Sequence, residues 1–390
     1  MSAAGDRVDL LVVGGGVTGA ATAAAAARRG LRTVLAERFT LGNPHGSSHG
    51  PSRIIRLAYE GAGYVTLARE AYVRWRALER ERGARLLLPT GGLDFGLAGT
   101  PSLRRTAATM ESCGVAFERL PAAELAARFP QLRLDPGMAG LYQPDAGVLD
   151  ADACVRALAG DARAHGAEIR EHARVRLLRA GPGGVGAEVN GTDLQAGAAV
   201  LAAGSWTGSL LAEMGRPLPL VVTREQVAYF AAPGAGYRPG TFPVTIEHRA
   251  GRPPMISMFP RLSPEGGVKL MLDRNGPEID ADDLAGTVDE RALAALTAHA
   301  RHRLPGLGPV LAAETCRYTM APDEDFVLDL VPGLPRVGVA SACSGHGFKF
   351  GPVLGEIMVD LITAGTTARP VAPFRLDRPA LVAGRPWSPA

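Results

Sequence analysis

The apolar positions of residues 8–37 follow the order strand, turn, helix and strand. The apolar run Val8–Val13 comes first, and the alanine-rich segment Ala20–Arg29 leads to a second apolar run that closes on Glu37. A short continuous apolar run is typical of a strand that is buried on both faces, and alanine lets a helix pack closely on a sheet. The pattern therefore predicts a βαβ unit near the start of the chain.

The rest of the chain alternates between helical and strand-like spacing. Helical periodicity predicts helices at Tyr64–Arg82, Pro101–Gly114, Asp150–Gly166, Val288–His302 and Val353–Ala364. Short apolar runs, spaced as in an antiparallel sheet, predict strands at Val221–Phe230, Thr241–Glu247, Met255–Phe259 and Gly267–Asp273. Buried-strand runs like those of the first unit return at Val200–Gly204 and Arg336–Ser341.

We therefore expect two interleaved domains in an α/β fold (α+β overall). A Rossmann-like dinucleotide-binding domain takes residues 1–85, 150–216 and 319–390. A second domain, built on a mainly antiparallel sheet, takes residues 86–149 and 217–318. A length of 390 residues suits two domains better than a single core.

Three glycines stand at G-x-G-x-x-G spacing between the first predicted strand and helix: Gly14, Gly16 and Gly19. The first permits a tight turn, the second lets a pyrophosphate approach the backbone, and the third lets the helix lie close to the sheet. Glu37 follows about 20 residues on, where a carboxylate can accept hydrogen bonds from ribose hydroxyls. The motif predicts an adenine dinucleotide and leaves FAD and NAD open.

Composition excludes several classes of protein. With 46% hydrophobic residues the chain is globular, and a net charge of +3 gives no case for nucleic acid. No apolar run reaches the roughly 20 residues of a membrane span, and the first strand starts too near Met1 for a signal peptide. The four cysteines are too widely spaced for a disulfide scaffold or a zinc site. We expect a cytoplasmic protein without a metal or a membrane anchor.

Only two of the 42 basic residues are lysines, Lys269 and Lys349. A lysine carries a compact charge whose pKa burial can shift, so these two could serve chemistry that arginine cannot; drift towards arginine codons is the alternative. Strand alternation puts Lys269 and Met271 on one face among apolar residues. This favours a partly buried lysine with a lowered pKa over one that extends to solvent. Lys349 stands in a glycine-rich turn before Pro352, where a helix begins.

Two arginines follow the small polar loop Arg38–Ser52. Arg53 and Arg56 are three residues apart and would share one face of a helix beginning here. They form either an anion pocket beside a cofactor or a solvated surface pair. The run Val200–Gly204 likewise either packs beside the dinucleotide or simply ends a strand.

Five motifs occur together in an order and spacing typical of one family. They are GGGVTG with Glu37, GSSHGPSRIIR, VLAAGSW, the run Cys316-Arg317-Tyr318-Thr319, and SGHGFKFGP. Over nearly its whole length the chain resembles the monomeric sarcosine oxidase and N-methyltryptophan oxidase group of the D-amino-acid-oxidase-like flavoproteins. The resemblance implies FAD rather than NAD.

The resemblance also implies roles for individual residues. From its own surroundings Cys316 would be a small buried hydrophobe, but it matches the cysteine that binds the flavin covalently through sulfur. Arg56 and Lys349 match the pair that binds the substrate carboxylate. Arg53 matches a cation near the flavin ring, and Lys269 matches the lysine near flavin N5, where oxygen is activated. Both lysines of the chain thus fall on functional positions of the family.

Two departures from the family concern the substrate. Counted from Lys269 without gaps, Met258 and Asp273 stand where sarcosine oxidases have a tyrosine and a histidine, whereas Tyr318 is retained. A thioether and a carboxylate at these positions favour a bulkier secondary amine, N-methylated or cyclic, over sarcosine.

The expected site has three groups of residues. The catalytic group is Lys269, Arg53 and Lys349, and the substrate-binding group is Arg56, Lys349, Tyr318, Met258 and Asp273. The cofactor-binding group is Gly14, Gly16, Val17, Thr18, Gly19, Glu37, Arg38, Ser47, Ser52, Arg53, Val175, Gly204, Trp206, Cys316, Gly345, Gly347, Phe348 and Lys349.

The expected reaction oxidises a C–N bond to an imine and reduces O2 to hydrogen peroxide. A flavin dehydrogenase or desaturase of a biosynthetic intermediate, passing electrons to a carrier, is the main alternative, and Lys269 favours the oxidase. Intact Arg56, Cys316 and Lys349 disfavour a non-catalytic flavin module, and Cys316 disfavours an NAD dehydrogenase. We expect a small amino acid or amine and O2 as partners, and a monomer or weak dimer.

Overall fold

The computed structural model describes residues 7–181, 183–250 and 255–388. In these ranges the chain forms nineteen strands: β1 Val8–Val13, β2 Thr33–Ala36, β3 Arg53–Ile55, β4 Leu87–Pro89, β5 Gly92–Leu97, β6 Glu118–Leu120, β7 Met138–Gln143, β8 Gly147–Leu149, β9 Glu168–Arg170, β10 Val175–Gly181, β11 Gly184–Val189, β12 Thr192–Leu201, β13 Val221–Phe230, β14 Val244–His248, β15 Met255–Phe259, β16 Val268–Leu272, β17 Val310–Met320, β18 Val327–Val331 and β19 Leu334–Ser341.

The same ranges hold nine α-helices: α1 Val17–Arg28, α2 Ala62–Arg82, α3 Pro101–Ser112, α4 Ala122–Arg128, α5 Ala151–Ala164, α6 Thr207–Glu213, α7 Glu290–Arg303, α8 Gly351–Ala364 and α9 Pro379–Val382. Short 3₁₀ turns lie at Gly204–Trp206, Phe348–Phe350 and Ala372–Phe374. All five predicted helices are present, with ends that differ slightly from the predicted ones. Within these described ranges no helix combines the length and apolarity that crossing a membrane requires.

The first sheet is of the predicted nucleotide-binding type. β1 lies between β2 and β12 with both pairings parallel, and β19 pairs parallel with the far side of β12. The alanines of α1 are buried against α5 and α8 in one apolar core, and a second core covers the other face of the sheet. A Cβ on Gly355 of α8 would lie 2.4 Å from the Ala21 carbonyl carbon, so small residues let α1 and α8 meet closely. The predicted βαβ unit is confirmed.

The second sheet has the strand order β17-β13-β16-β15-β14-β5-β7-β6. Its neighbours pair antiparallel except for β14 and β5, which are parallel. Alternate side chains, such as Leu270, pack with α7 in an apolar core, whereas those between them, such as Lys269, face a cavity. The predicted mainly antiparallel sheet is confirmed, and with it the α/β fold class.

A third, three-stranded sheet, β3-β8-β4, decides whether a helix begins at Arg53, a condition that the sequence left open. The segment Arg53–Ile55 is a strand that pairs antiparallel with β8, and it does not begin a helix. The physical reason is that β-branched residues favour strands, and Ile55 is fully buried there. Arg53 and Arg56 therefore do not share a helix face, although both line the cavity. The predicted domain boundaries stay a prediction, and their outermost residues, 1–6 and 389–390, lie outside the described ranges.

Candidate functional site

A cavity of about 1430 Å³ runs from the N-terminus of α1 to the face of the second sheet that carries Lys269. Pockets for one small ligand usually have roughly 300–1,000 Å³, so this cavity has room for a dinucleotide together with a second small molecule. It opens at the carboxyl ends of the parallel strands β1, β2 and β12, which is where ligands bind in sheets of this type.

At one end of the cavity, the glycine motif brings backbone atoms close together. Gly14 has φ of +103°, and a Cβ there would lie 2.5 Å from the Ala202 carbonyl oxygen. A Cβ on Gly19 would lie 1.8 Å from the Gly14 carbonyl oxygen. Gly19 itself does not line the cavity, so it contributes to helix packing rather than to ligand contact. Gly16 precedes α1 without a side-chain cap, and α1 has no acidic residue in its first turn.

This helix end suits an anionic group. The first-turn N–H groups of a helix carry a partial positive charge, and the first turn of α1 contains no acidic residue of its own. The Ser48 hydroxyl accepts from the Val17 N–H at 3.1 Å, a contact that the sequence did not suggest. The residues therefore fit a pyrophosphate held mainly by backbone.

Glu37 lies beside the glycine turn at the end of β2. Its Oε2 accepts from the Gly15 N–H at 2.6 Å and its Oε1 from the Phe39 N–H at 2.8 Å. Burial raises the pKa of Glu37 above its ordinary value, although these two hydrogen bonds act in the opposite direction. The carboxylate is thus fixed where a ribose would follow the pyrophosphate.

The middle of the cavity is lined by the loop before β3 and by the turn before α8. Arg53 donates to the carbonyls of Ser52 at 2.8 Å, Ser47 at 2.9 Å and His49 at 2.8 Å. Its guanidinium lies 5.6 Å from the Phe348 ring centroid. Three carbonyl acceptors hold this cation in place without neutralising it.

Lys269 reaches the same part of the cavity from β16. Its Nζ donates to the Ser52 hydroxyl at 3.2 Å and lies 4.7 Å from the Phe259 ring centroid. Burial lowers the pKa of Lys269 to about 7, and the Arg53 charge acts in the same direction. The sequence-based prediction of a buried lysine with a lowered pKa is confirmed.

Cys316 faces the cavity from β17 and is only half-buried. The surrounding protein raises the pKa of its thiol to about 11 by burial, whereas the charges of Arg53 and Lys269 act to lower it. A second cysteine, Cys343, lines the same cavity from the turn after β19. The two thiols provide a matched pair for testing which of them reacts.

At the far end, the basic side chains of Lys349 and Arg56 both lie beside the Tyr59 ring. Lys349 Nζ donates to the Tyr59 hydroxyl at 2.8 Å and to the His346 carbonyl at 2.8 Å. Arg56 forms an ion pair with Asp94, which is 3% exposed. Burial would raise the pKa of Asp94, but Arg56 and a hydrogen bond with His248 hold it below its ordinary value. The two predicted carboxylate-binding cations therefore come together.

Asp94 was not among the residues predicted from the sequence, although the sequence contains a signal for it. It stands between Leu93 and Phe95, which are both buried, and an acid in such a strand needs a cationic partner. His248 Nε2 lies 2.8 Å from Asp94 Oδ1, and the Ser102 hydroxyl lies 2.9 Å from His248 Nδ1. Arg56 is thus held by a chain of polar side chains that leads to the start of α3.

Asp273 and Tyr318 lie on the opposite wall. The Tyr318 hydroxyl is 3.1 Å from Asp273 Oδ1 and 3.3 Å from Met271 Sδ. Asp273 also pairs with Arg274 at 2.8 Å. Both predicted residues line the cavity, as does Met271.

Met258 is a correction. It is fully buried in the apolar core behind the second sheet and does not line the cavity. Its neighbour Ser257 lines the cavity instead, as do Met255 and Phe259, because successive residues of β15 point to opposite faces. The polar hydroxyl of Ser257 thus replaces the predicted thioether in this wall.

The remaining predicted cofactor contacts do line the cavity. They are Val17, Thr18, Arg38, Ser47, Val175, Gly204, Trp206, Gly345 and Gly347. The arrangement joins the N-terminus of α1, the Glu37 carboxylate, two lysines (Lys269 and Lys349) and two arginines (Arg53 and Arg56) along one continuous space. Such a site can hold an adenine dinucleotide and place a small carboxylate at its far end.

Comparisons with known proteins agree with this geometry. A family model described as FAD dependent oxidoreductase matches residues 9–361. Peroxisomal sarcosine oxidase of Mus musculus is 34% identical over 390 residues, covering 97% of this chain and 98% of the mouse protein. N-methyl-L-tryptophan oxidase of Salmonella heidelberg is 30% identical over 380 residues, covering 95% and 99%. The open form of NikD, described as an unusual amino acid oxidase essential for nikkomycin biosynthesis, superposes with a TM-score of 0.83 at 29% identity, covering 95% of this chain and 97% of that chain.

Proposed function

The chain belongs to the FAD-dependent oxidoreductase family, and on this premise we propose that it oxidises a carboxylate-bearing secondary amine to an imine, with O2 as the electron acceptor. Hydrogen peroxide is the second product. The family and the use of FAD agree with the resemblance that the motifs indicated. The substrate, the acceptor and the residues that perform the reaction belong to the proposal.

One observation carries the proposal: the helix end that suits an anion and the basic side chains of Arg56 and Lys349 open into the same cavity. The start of α1 and Glu37 would hold the adenosine diphosphate half of the cofactor, whereas Arg56 and Lys349 line the other end of the cavity. When bound, FAD supplies the acceptor for the two electrons that leave the C–N bond. The other features of the site concern binding, orientation and protons.

Arg56 and Lys349 bind the substrate carboxylate. Charge-assisted hydrogen bonds are short and directional, so two such donors fix both the position and the orientation of the amine. Asp94 holds the Arg56 guanidinium in place through their ion pair. The amine has to be uncharged when it reacts, because a protonated nitrogen has no lone pair to assist oxidation.

Lys269 provides positive charge where O2 is reduced. Negative charge develops on oxygen in that step, and a fixed cation in a water-poor site stabilises it. With a pKa of about 7, Lys269 is present in its charged and uncharged forms near neutral pH. Cys316 would hold the flavin covalently through Sγ, which prevents its loss.

The walls around the two cations indicate the substrate class. Ile246, Met255 and Met271 give apolar surface, and Ser257 and Asp273 give polar groups. This mixture suits a side chain or ring larger than hydrogen, and it favours an N-methyl or cyclic amino acid over sarcosine. NikD, which shares the fold at 29% identity, is likewise described as an amino acid oxidase.

A flavin dehydrogenase that passes electrons to a carrier is the second candidate. The structural similarity to an L-proline dehydrogenase, at 22% identity, concerns the fold alone and does not decide between them. A panel of N-methyl and cyclic amino acids should be assayed for peroxide under air and for reduction of an electron-accepting dye without oxygen. We expect one molecule of peroxide for each amine oxidised. Dye reduction without peroxide formation would contradict the oxidase proposal and support the dehydrogenase.

A further inference from the structure

Lys349 is a buried amine, and the two groups that accept hydrogen bonds from its Nζ in the part of the chain that the structure describes are both uncharged. Its Nζ donates to the Tyr59 hydroxyl and to the His346 carbonyl, each at 2.8 Å, and the residue is 5% exposed. A neutral amine has two N–H groups and one lone pair, so these two acceptors satisfy its donors. An ammonium has three N–H groups, so one would point into the cavity until a ligand arrives.

The charged and titratable groups that act on Lys349 come from several elements. They are Arg56 after β3, Tyr59 before α2, Asp94 in β5, Asp273 after β16 and His346 in the turn before α8. The two carboxylates are already bound by other cations, Asp94 by Arg56 and Asp273 by Arg274. Burial, and then the Arg56 charge, hold the pKa of Lys349 well below its usual range.

Docking of a substrate carboxylate changes the preferred protonation state of two groups at once, the Lys349 amine and the substrate nitrogen. An anion placed beside Nζ favours the charged form of Lys349. The same docking moves the substrate ammonium out of water and towards the cation Arg56, which disfavours its charged form. Both changes favour transfer of a proton from the substrate nitrogen to the lysine.

We propose that Lys349 is uncharged in the free enzyme and receives the proton that the substrate ammonium loses as the carboxylate docks. This inference rests on the proposed function, because it requires a carboxylate-bearing amine at this end of the cavity. One N–H bond of the ammonium breaks and one N–H bond forms at Nζ, and no electrons leave or enter. The carboxylate gains a charged partner, and the amine gains the lone pair that its oxidation requires.

The test is to count protons during binding of ligands that cannot be oxidised. Isothermal titration calorimetry on the oxidised holoenzyme, in two buffers of different ionisation enthalpy, gives the protons taken up per ligand. Acetate carries a carboxylate but no amine. 2-Methylalanine carries both, yet has neither a hydrogen on its α-carbon nor an N-alkyl group. Turnover is not needed, so failure of the oxidase proposal and failure of this inference can be told apart.

Near pH 8 we expect the enzyme to take up about one proton from the buffer when it binds acetate. The affinity for acetate should therefore fall about tenfold per pH unit above that pH. 2-Methylalanine should bind with almost no net proton exchange, because its ammonium supplies the proton. In Lys349→Arg, whose side chain is always charged, acetate should bind without proton uptake.

Three results would overturn the inference. No uptake with acetate would mean that Lys349 is already charged. Equal uptake with both ligands would mean that the substrate keeps its ammonium proton. Uptake that persists in Lys349→Arg would assign the proton to another group. If that variant fails to hold FAD, the pH dependence of acetate binding to the wild-type enzyme still decides the first question.

Discussion

The two ends of the cavity are built in different ways. At the nucleotide end, one continuous stretch supplies the turn, the helix end and the acid, and the groups that touch the ligand are largely backbone. At the reaction end, Lys269 and Cys316 come from two strands, Arg56 from the residue after β3, and Lys349 from the turn before α8, and these elements are far apart in the chain. The first end depends on local geometry, whereas the second depends on how distant elements pack.

The difference extends to energetics. At the nucleotide end Gly14 and Gly19 sit where any side chain would collide with backbone, so substitutions of these two residues should act on the fold. At the reaction end ionisable side chains are buried with shifted pKa values, so substitutions there should act on particular steps of the reaction. Mutations can test this division directly.

The largest effect is expected from Gly19→Val. Its Cβ would lie 1.8 Å from the Gly14 carbonyl oxygen, so α1 would have to leave the sheet, and the cost should exceed about 4 kcal/mol. The variant should yield little folded protein and no bound flavin in visible absorbance and thermal melts. Gly99→Ala is the matched control, because a Cβ there meets nothing within 4 Å. A stable, flavin-loaded Gly19→Val would contradict the tight packing assigned to this end.

The next effect concerns the covalent link proposed for Cys316. In Cys316→Ser all of the flavin should stay in solution after acid precipitation, whereas in the wild type it should precipitate with the protein. Cys343→Ser is the control, since this second thiol lines the same cavity and should leave the link unchanged. Flavin released from the wild type, or retained in Cys316→Ser, would show that Cys316 does not form the link.

Lys269→Met should slow the reaction with oxygen by roughly 100-fold while leaving anaerobic flavin reduction nearly unchanged, because one stabilising charge is lost in one half-reaction. Stopped-flow absorbance measures both halves. Burial lowers the pKa of Lys269 to about 7, so its charged fraction falls as pH rises through that value, and the wild-type oxygen reaction should slow over the same range.

Lys269→Arg is the control for this titration. Arginine keeps its charge over the whole range, so the oxygen reaction of this variant should be flat across neutral pH. Equal slowing of both half-reactions in Lys269→Met would remove Lys269 from the oxygen step.

The smallest effects are expected from substitutions of Ser257 and Met258, which should act on KM and on stability respectively. Met258→Leu conserves volume in a buried core and should cost less than about 1.5 kcal/mol in unfolding free energy, with KM unchanged. Ser257→Leu adds bulk to the cavity wall and should raise KM for the best substrate several-fold, with little effect on stability. The reverse pattern in melts and steady-state kinetics would restore Met258 as a substrate contact.

The comparison of the two ends also explains what the sequence could predict. The glycine spacing and Glu37 are local, so the nucleotide end followed from a single stretch. The burial of Lys269 followed from strand alternation. The side of Met258 did not, because a count from Lys269 across the turn between β15 and β16 does not fix which residues of β15 face the cavity, and a strand reverses sides at every residue. Asp94 was missed because its partner Arg56 is brought to it only by the packing of β3 near β5.

The central claim is that the far end of the cavity recognises a carboxylate and presents the attached amine for oxidation. The direct test is anaerobic flavin bleaching with an N-methyl amino acid and with its carboxamide, which keeps the amine and removes the anion. Bleaching by the acid, with little or none by the amide at equal concentration, is the predicted result. Equal bleaching by both, or by neither across the panel of N-methyl and cyclic amino acids, would contradict the account.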